Sequence, residues 1–181
     1  MLSKKIEAAF NNQLNAELYS GYLYLSMASW FERMNLKGFA HWLKVQTQEE
    51  TVHALKFYNY LIDRGAAVKM MAIEGPVTDW ETPLILFKSV YKHEQKVTSL
   101  INNLMDLALA EKDHASKVFI DWFVNEQVEE ESNASQVVEK LKMVGTETSA
   151  LYVLDKEMGA RIFNLPIDMT EWAPGTGGTA A

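Results

Sequence analysis

Apolar side chains recur at alternating three- and four-residue steps along four long stretches of the chain. This is the period of an α-helix with one buried face, so the pattern predicts amphipathic helices rather than strands. The predicted helices span about 4–33, 37–65, 83–110 and 114–144, with a shorter fifth at about 147–163. Ser3 and Asp113 are suited to cap the first and fourth helices, while Gly65 and Gly145 end the second and fourth.

The predicted stripes are Phe10, Leu14, Glu17, Gly21, Tyr24, Ala28 and Phe31 on the first helix; Phe39, Leu43, Gln46, Glu50, His53, Phe57 and Tyr60 on the second; Leu84, Phe87, Tyr91, Glu94, Thr98, Ile101 and Met105 on the third; and Ile120, Phe123, Gln127, Glu130, Ala134, Val137 and Leu141 on the fourth. Each stripe is interrupted near its middle by acidic, amide or imidazole side chains. The interrupting residues are Glu17 on the first helix, Gln46, Glu50 and His53 on the second, Glu94 on the third, and Gln127 and Glu130 on the fourth. The step from Glu17 to Glu50 is 33 residues, as is the step from Glu94 to Gln127, and a helix break lies midway in both cases. Two antiparallel helical hairpins would therefore each bring their polar pair to one level.

The connection between the second and third helices is long. Residues 66–82 carry Gly75, Pro76 and Asp79 and show no helical period. Fully extended, they reach roughly 56 Å, more than the roughly 42 Å of a helix of the third one's size. The chain can therefore return along the whole bundle and leave the second and third helices parallel. The predicted fold class is all-α, a four-helix bundle with one long crossover and a short fifth helix.

The polar layer predicts a metal site. Each ionised carboxylate in an apolar core costs several kcal/mol, and no lysine or arginine lies on the stripes. Two divalent cations would balance four carboxylates to zero net charge. Glu50 and His53 are three residues apart and share a helical face. An oxygen-rich ligand set with one imidazole suits iron or manganese better than structural zinc.

Composition excludes several classes of function. The formal net charge is −7 with a pI near 5.1, so the chain lacks the basic surface that nucleic-acid binding requires. The absence of cysteine excludes a disulfide framework, a cysteine zinc site and a thiolate iron centre. No segment approaches the roughly 18 apolar residues of a membrane span. The N-terminus lacks the apolar segment of a secretory signal, which predicts a cytoplasmic protein with no membrane partner.

The segments ELYSGYLYLSMASWF, GFAHWL, EETVHA and FVNEQVEEE resemble bacterial-type non-haem ferritins, and the resemblance extends to about residue 163. It implies a ferritin-like di-iron bundle over residues 1–163, followed by a flexible tail over 164–181. The implied function is iron storage by a homo-oligomer, a cage of 24 subunits that holds ferric mineral. The implied activity is that of a ferroxidase, which oxidises Fe(II) with oxygen or hydrogen peroxide.

The same resemblance implies specific roles for the residues of the polar layer. The first iron would be held by Glu17, Glu50 and His53, and the second by Glu50, Glu94 and Glu130, with Gln127 close by. Because the fourth helix offers Gln127-x-x-Glu130 in place of a second Glu-x-x-His pair, we expect the second iron to be held more loosely and to leave after oxidation.

Other residues acquire roles only through the resemblance. Glu49, Glu126 and Glu129 would form with Glu130 a third iron site towards the cavity, although their positions on the helices are also those of a solvated face. Tyr24, on the stripe of Glu17, would supply an electron to oxygen, and Trp122 is a second candidate for this role. A tyrosine on an apolar stripe is also an ordinary core residue whose hydroxyl has found a partner.

Two other functions use the same bundle. A bacterioferritin would bind haem between paired subunits, but it has a methionine directly after the metal-binding glutamate of the second helix, where this chain has Thr51. A rubrerythrin-like peroxide reductase normally carries a cysteine-rich iron domain, and this sequence has no cysteine. The sequence thus favours a non-haem ferritin that uses iron and carries no haem.

Overall fold

The computed structural model describes residues 2–164 and contains five helices in that part of the chain. They are α1 (Lys4–Arg33), α2 (Lys37–Asp63), α3 (Pro83–Ala110), α4 (His114–Val144) and α5 (Thr148–Met158). Ser3 and Asp113 cap α1 and α4 as predicted, since their side chains accept hydrogen bonds from backbone N–H groups of the first turn. The predicted all-α bundle is confirmed. The predicted tail lies, apart from Asn164, outside the described residues.

Two helix ends differ from the prediction. α2 stops at Asp63 rather than at residue 65, because Gly65 adopts a left-handed conformation (φ +66°) that terminates the helix. α5 ends at Met158 rather than at residue 163. Gly159 follows it, and the N–H groups of Ala160 and Arg161 bond to carbonyls only three residues back, which turns the chain out of the helix.

Ion pairs at one end of the bundle establish the helix directions. Lys5, at the start of α1, lies 3.0 Å from Glu111, directly after α3. Arg64, directly after α2, lies 2.8 Å from Asp113, directly before α4. The ends of α2 and α3 therefore meet the starts of α1 and α4, so α2 and α3 run parallel as predicted.

The crossover between α2 and α3 lies along α1 and is bound to it at both ends. Near its start, Asn11 donates to the carbonyl of Ala67 (3.0 Å) and accepts from the N–H of Lys69 (2.6 Å). Near its end, Ser26 donates to the carbonyl of Val77 (2.7 Å). These bonds satisfy backbone groups of a segment that has no helical ladder of its own.

Two apolar clusters fill the bundle, one at each end. The first contains Phe31, Phe39 and Phe87, and the second contains Phe10, Phe57 and Phe123, among others. The polar positions of the four stripes lie between them in sequence and in space. The site is therefore enclosed along the bundle axis by aromatic side chains, and water reaches it poorly from either end.

The predicted stripes of α1 and α4 are buried throughout, whereas the stripe of α3 is only partly correct. Phe87, Glu94 and Ile101 are buried as predicted. The other four predicted positions, Leu84, Tyr91, Thr98 and Met105, are only half-buried. The residues directly before Tyr91, Thr98 and Met105 are buried instead, namely Val90, Val97 and Leu104. Apart from Thr98, both sets are apolar and have helical spacing, so the sequence did not distinguish which set faced the core.

α5 docks on the start of α2. The Asp155 carboxylate accepts hydrogen bonds from the N–H groups of Gly38 (2.8 Å) and Phe39 (3.0 Å). α2 has no side-chain cap of its own, so Asp155 supplies it from a distant part of the chain. The helices touch so closely that a Cβ on Gly38 would lie 1.6 Å from the carbonyl oxygen of Asp155.

We expect Gly38→Ala to displace α5, because the obstructing atom belongs to the backbone and cannot rotate away. The destabilisation is expected to be about 1–3 kcal/mol. Hydrogen exchange of the α5 amides measures it, and the variant is expected to exchange faster there than the wild type. Gly75→Ala is the control, since nothing lies within 4 Å of its added Cβ; equal exchange of α5 in both variants would contradict the expectation.

Within residues 2–164, no helix combines the length and apolar character needed to cross a bilayer.

Candidate metal centre

The four central helices bring their polar positions together in one buried layer. Its members are Glu17 from α1, Gln46, Glu50 and His53 from α2, Glu94 from α3, and Gln127 and Glu130 from α4. The exposed fraction of these residues is at most 4%. Seven polar side chains thus share an interior that water scarcely enters, and each must find a partner within the protein.

The first group of candidate ligands joins α1 and α2. Glu17, Glu50 and His53 each offer a ligand atom within 4.8 Å of the other two. His53 Nδ1 lies 3.4 Å from Glu50 Oε2. Gln13 donates to Glu17 Oε1 (2.8 Å), whereas no described residue supplies a hydrogen-bond donor to the buried Oε2 of Glu17. A buried carboxylate oxygen without a donor fits coordination to a cation.

The second group joins α2 and α4. His53, Glu126 and Glu130 also offer ligand atoms within 4.8 Å of one another. His53 Nε2 lies 3.8 Å from Glu126 Oε1. Glu126 is half-buried whereas Glu130 is buried, so this group extends from the centre towards the surface. The imidazole of His53 therefore has acidic groups beside both of its nitrogens.

Glu94 lies outside both groups and is held by hydrogen bonds instead. Tyr24 donates to its carboxylate. The amide of Gln127 lies 3.4 Å from Glu94 Oε2, 3.3 Å from the Glu94 carbonyl and 3.3 Å from the hydroxyl of Thr98. These contacts place the predicted Tyr24 and Gln127 at the centre, on the side of α3.

Burial raises the pKa of each of the four glutamates from 4.5 to about 8. Loss of hydration is the main cause, because the interior stabilises a charge less well than water does. The second cause is repulsion from a neighbouring carboxylate. Glu50 raises the pKa of both Glu17 and Glu94 in this way. Similarly, Glu130 raises the pKa of Glu50, and Glu94 raises the pKa of Glu130. A dication that binds here must replace protons, since it provides the positive charge that the layer lacks.

The comparisons with known proteins agree with this geometry. A family model described as Ferritin-like domain matches residues 7–144, which span almost all of α1 to the end of α4.

The chain belongs to the ferritin family.

Similar ferritins come from bacteria and archaea. The bacterial non-heme ferritin of Bacteroides fragilis is 44% identical over 161 residues, covering 89% of this chain and 100% of the relative. That of Staphylococcus aureus is 39% identical over 164 residues, covering 91% and 99%. The open pore ferritin from the hyperthermophilic archaeon Archaeoglobus fulgidus has a TM-score of 0.89 and 48% identity over 90% of this chain and 100% of its own. Family membership supports iron storage and a homo-oligomeric assembly.

The remaining site residues predicted from the ferritin resemblance are Glu49, Glu129 and Trp122. Glu49 is half-buried and paired with Arg161, whereas Glu129 is exposed. The ring centroid of Trp122 lies 5.4 Å from that of His53, with the two rings edge to face. Trp122 is therefore adjacent to a candidate ligand, on the side of α4.

Three residues that the sequence did not assign to the ferritin centre are part of its hydrogen-bond network. Gln13 and Gln46 each donate to the glutamate four residues later, Glu17 and Glu50. The sequence does contain this signal, a repeated glutamine–glutamate pair at helical spacing. The third residue is Arg161, which follows α5 and gave no local signal. The prediction that no cation lies on the stripes holds for the helices, but Arg161 brings one to them from outside.

Proposed function

We propose that this protein stores iron and oxidises Fe(II) at a dinuclear centre inside each subunit. The observation that carries the proposal is the buried layer of four glutamates around one histidine, enclosed between two apolar clusters. Such a layer is costly without cations, and two dications balance its charge. Iron is the substrate and the stored product, with oxygen or hydrogen peroxide as the oxidant.

The proposed ligands divide between two iron positions. Glu17, Glu50 and His53 hold the first Fe(II), as supported by their mutual distances and by the unpartnered oxygen of Glu17. Glu50 bridges to the second, where Glu94 and Glu130 complete the ligand set. Two Fe(II) ions side by side supply the two electrons that reduce oxygen to peroxide, and the carboxylates stabilise the more positive ferric product.

The second position is proposed to release its iron after oxidation. Gln127 occupies the place of the glutamate in a second Glu-x-x-His pair and is already hydrogen-bonded to Glu94 and Thr98. A neutral amide attracts a cation more weakly than a carboxylate does. The half-buried Glu49 and Glu126 and the exposed Glu129 are proposed to hold a third iron, on a path of carboxylates towards the interior of a cage of 24 copies of this chain.

Tyr24 is proposed to supply one of the four electrons that reduce oxygen to water. The other three come from Fe(II), two from the dinuclear centre and one from the proposed third iron, and the phenolic proton passes to Glu94. The buried hydroxyl of Tyr24 donates to Glu94, a proposed ligand of the second iron, and this contact between a redox-active side chain and a ligand supports the proposal. Tyr24→Phe retains the ring and removes the hydroxyl, so rapid-mixing spectroscopy of this variant tests the role; oxidation kinetics equal to those of the wild type would remove it.

Aerobic addition of Fe(II) to the purified apoprotein tests the function as a whole. We expect rapid growth of ferric absorbance in the near ultraviolet and co-elution of iron with a large assembly on size-exclusion chromatography. Electron microscopy would then show dense cores within the particles. Oxidation no faster than in buffer, or precipitation of iron outside the assembly, would refute the proposal.

A further inference from the structure

Arg161, in the segment that follows α5, is held against α2 on several sides. Its guanidinium lies 4.2 Å from the ring centroid of Trp42, a cation–π distance. Its Nη1 donates to Gln46 Oε1 (2.6 Å), and its Nη2 donates to Glu49. The Arg161 carbonyl accepts a hydrogen bond from His41 Nε2 (2.8 Å). With 17% of its side chain exposed, this arginine has a fixed position rather than a solvated one.

Gln46 connects Arg161 to the candidate metal centre. Its Nε2 donates to Glu50 Oε1 (3.2 Å) and to Glu130 Oε2 (2.8 Å), so one amide joins carboxylates of α2 and α4. The side chain is fully buried. An amide has one donating and one accepting end, and a wrong orientation would direct its oxygen at two carboxylates.

The donors of Arg161 determine which way the amide points. A guanidinium has no acceptor, so only the oxygen end of Gln46 can face it. The NH₂ end is then directed at Glu50 and Glu130. The planar fork of the guanidinium also reaches Glu49 at the same time, which limits its own rotation.

We infer that Arg161 is a positioning residue for the metal centre, acting through Gln46 to set the orientation of Glu50 and Glu130. The inference rests on the proposed function, since it assigns those two carboxylates to iron. Arg161 comes from the segment after α5, whose position depends on the contact of Asp155 with the start of α2. The docking of the fifth helix thereby influences ligand geometry in the middle of the bundle.

Binding of Co(II) to the assembled apoprotein tests this inference without iron chemistry, because the visible spectrum of Co(II) reports its ligand geometry. Hydrogen-bond partners of metal ligands typically affect metal affinity about 10- to 100-fold. We expect Arg161→Ala to weaken Co(II) binding by such a factor and to alter the spectrum. Gln46→Ala is expected to act similarly, and the double variant no more strongly than Gln46→Ala alone, since the arginine acts through the amide.

Lys140→Ala is the matched control. It removes the ion pair of Lys140 with Glu157, another contact between α5 and the bundle, but no contact with Gln46. We expect it to bind Co(II) as the wild type does. If Arg161→Ala does not assemble, Arg161→Lys carries the test, because a lysine retains the charge but not the planar fork that reaches Gln46 and Glu49 together.

The possible results separate the inference from the proposed function. Wild-type spectrum and affinity in the assembled Arg161 variant would overturn the inference alone. The inference would also be overturned if the losses of Co(II) affinity in Arg161→Ala and Gln46→Ala added in full in the double variant. A spectral change in Lys140→Ala equal to that in Arg161→Ala would overturn it as well. If the wild type does not bind Co(II), or if Glu50→Gln leaves Co(II) binding unchanged, the proposed function fails together with the inference.

Discussion

Glu50→Gln is expected to abolish rapid Fe(II) oxidation and at the same time to stabilise the metal-free protein. Glu50 is the carboxylate shared by both proposed iron positions, so its loss leaves neither position complete. We expect the oxidation rate to fall about 100-fold or more, because the ligands supply several kcal/mol of charge stabilisation. The gain in stability has the opposite sign because glutamine removes one ionisable group from an interior that hydrates it poorly.

Stopped-flow absorbance measures the loss of oxidation, and guanidinium denaturation of the apoprotein at pH 9 measures the gain in stability. Glu81→Gln is the control, since it removes the same charge from an exposed side chain. It is expected to leave both quantities near their wild-type values. An active Glu50→Gln variant would remove Glu50 from the centre, and an apoprotein less stable than the wild type at pH 9 would contradict the electrostatic argument.

The metal-free protein is expected to lose stability as the pH rises from about 5 to about 9. The four glutamates have a pKa near 8 in the folded state and near 4.5 when unfolded. Below about pH 4.5 they are protonated in both states, and their contribution to stability is fully present. Between these values only the unfolded chain ionises, so the contribution falls as pH rises and is lost once the pH passes about 8.

Divalent cations are expected to reverse this trend. Each dication displaces protons from the glutamates, so its affinity rises with pH up to about 8 and then levels off. The magnitude of the pH effect is on the order of several kcal/mol, since the four groups repel one another and do not act independently. Denaturation midpoints at pH 5.5, 7 and 8.5, with and without Zn(II), provide the measurement. A midpoint of the apoprotein that does not change with pH would contradict the prediction.

Much of the fold could be predicted because its determinants are local and periodic. The α4 stripe from Ile120 to Leu141 follows one face of one helix, and each member is buried as predicted. α3 shows the limit of this reasoning. Val90, Val97 and Leu104 form a second apolar row beside the predicted one, and only the position of the neighbouring helices decided that they face the core.

The sequence alone determined the helices, their order and the set of acidic residues at one level, because Glu17, Glu50, Glu94 and Glu130 each lie near the middle of the apolar stripe of their helix. Tertiary structure decided how those acids are held. Arg161 meets Gln46 across 115 positions of the chain, and Asp155 meets Gly38 across 117. Periodicity carries information over a few helical turns, whereas contacts between such distant residues exist only after α5 has packed against α2.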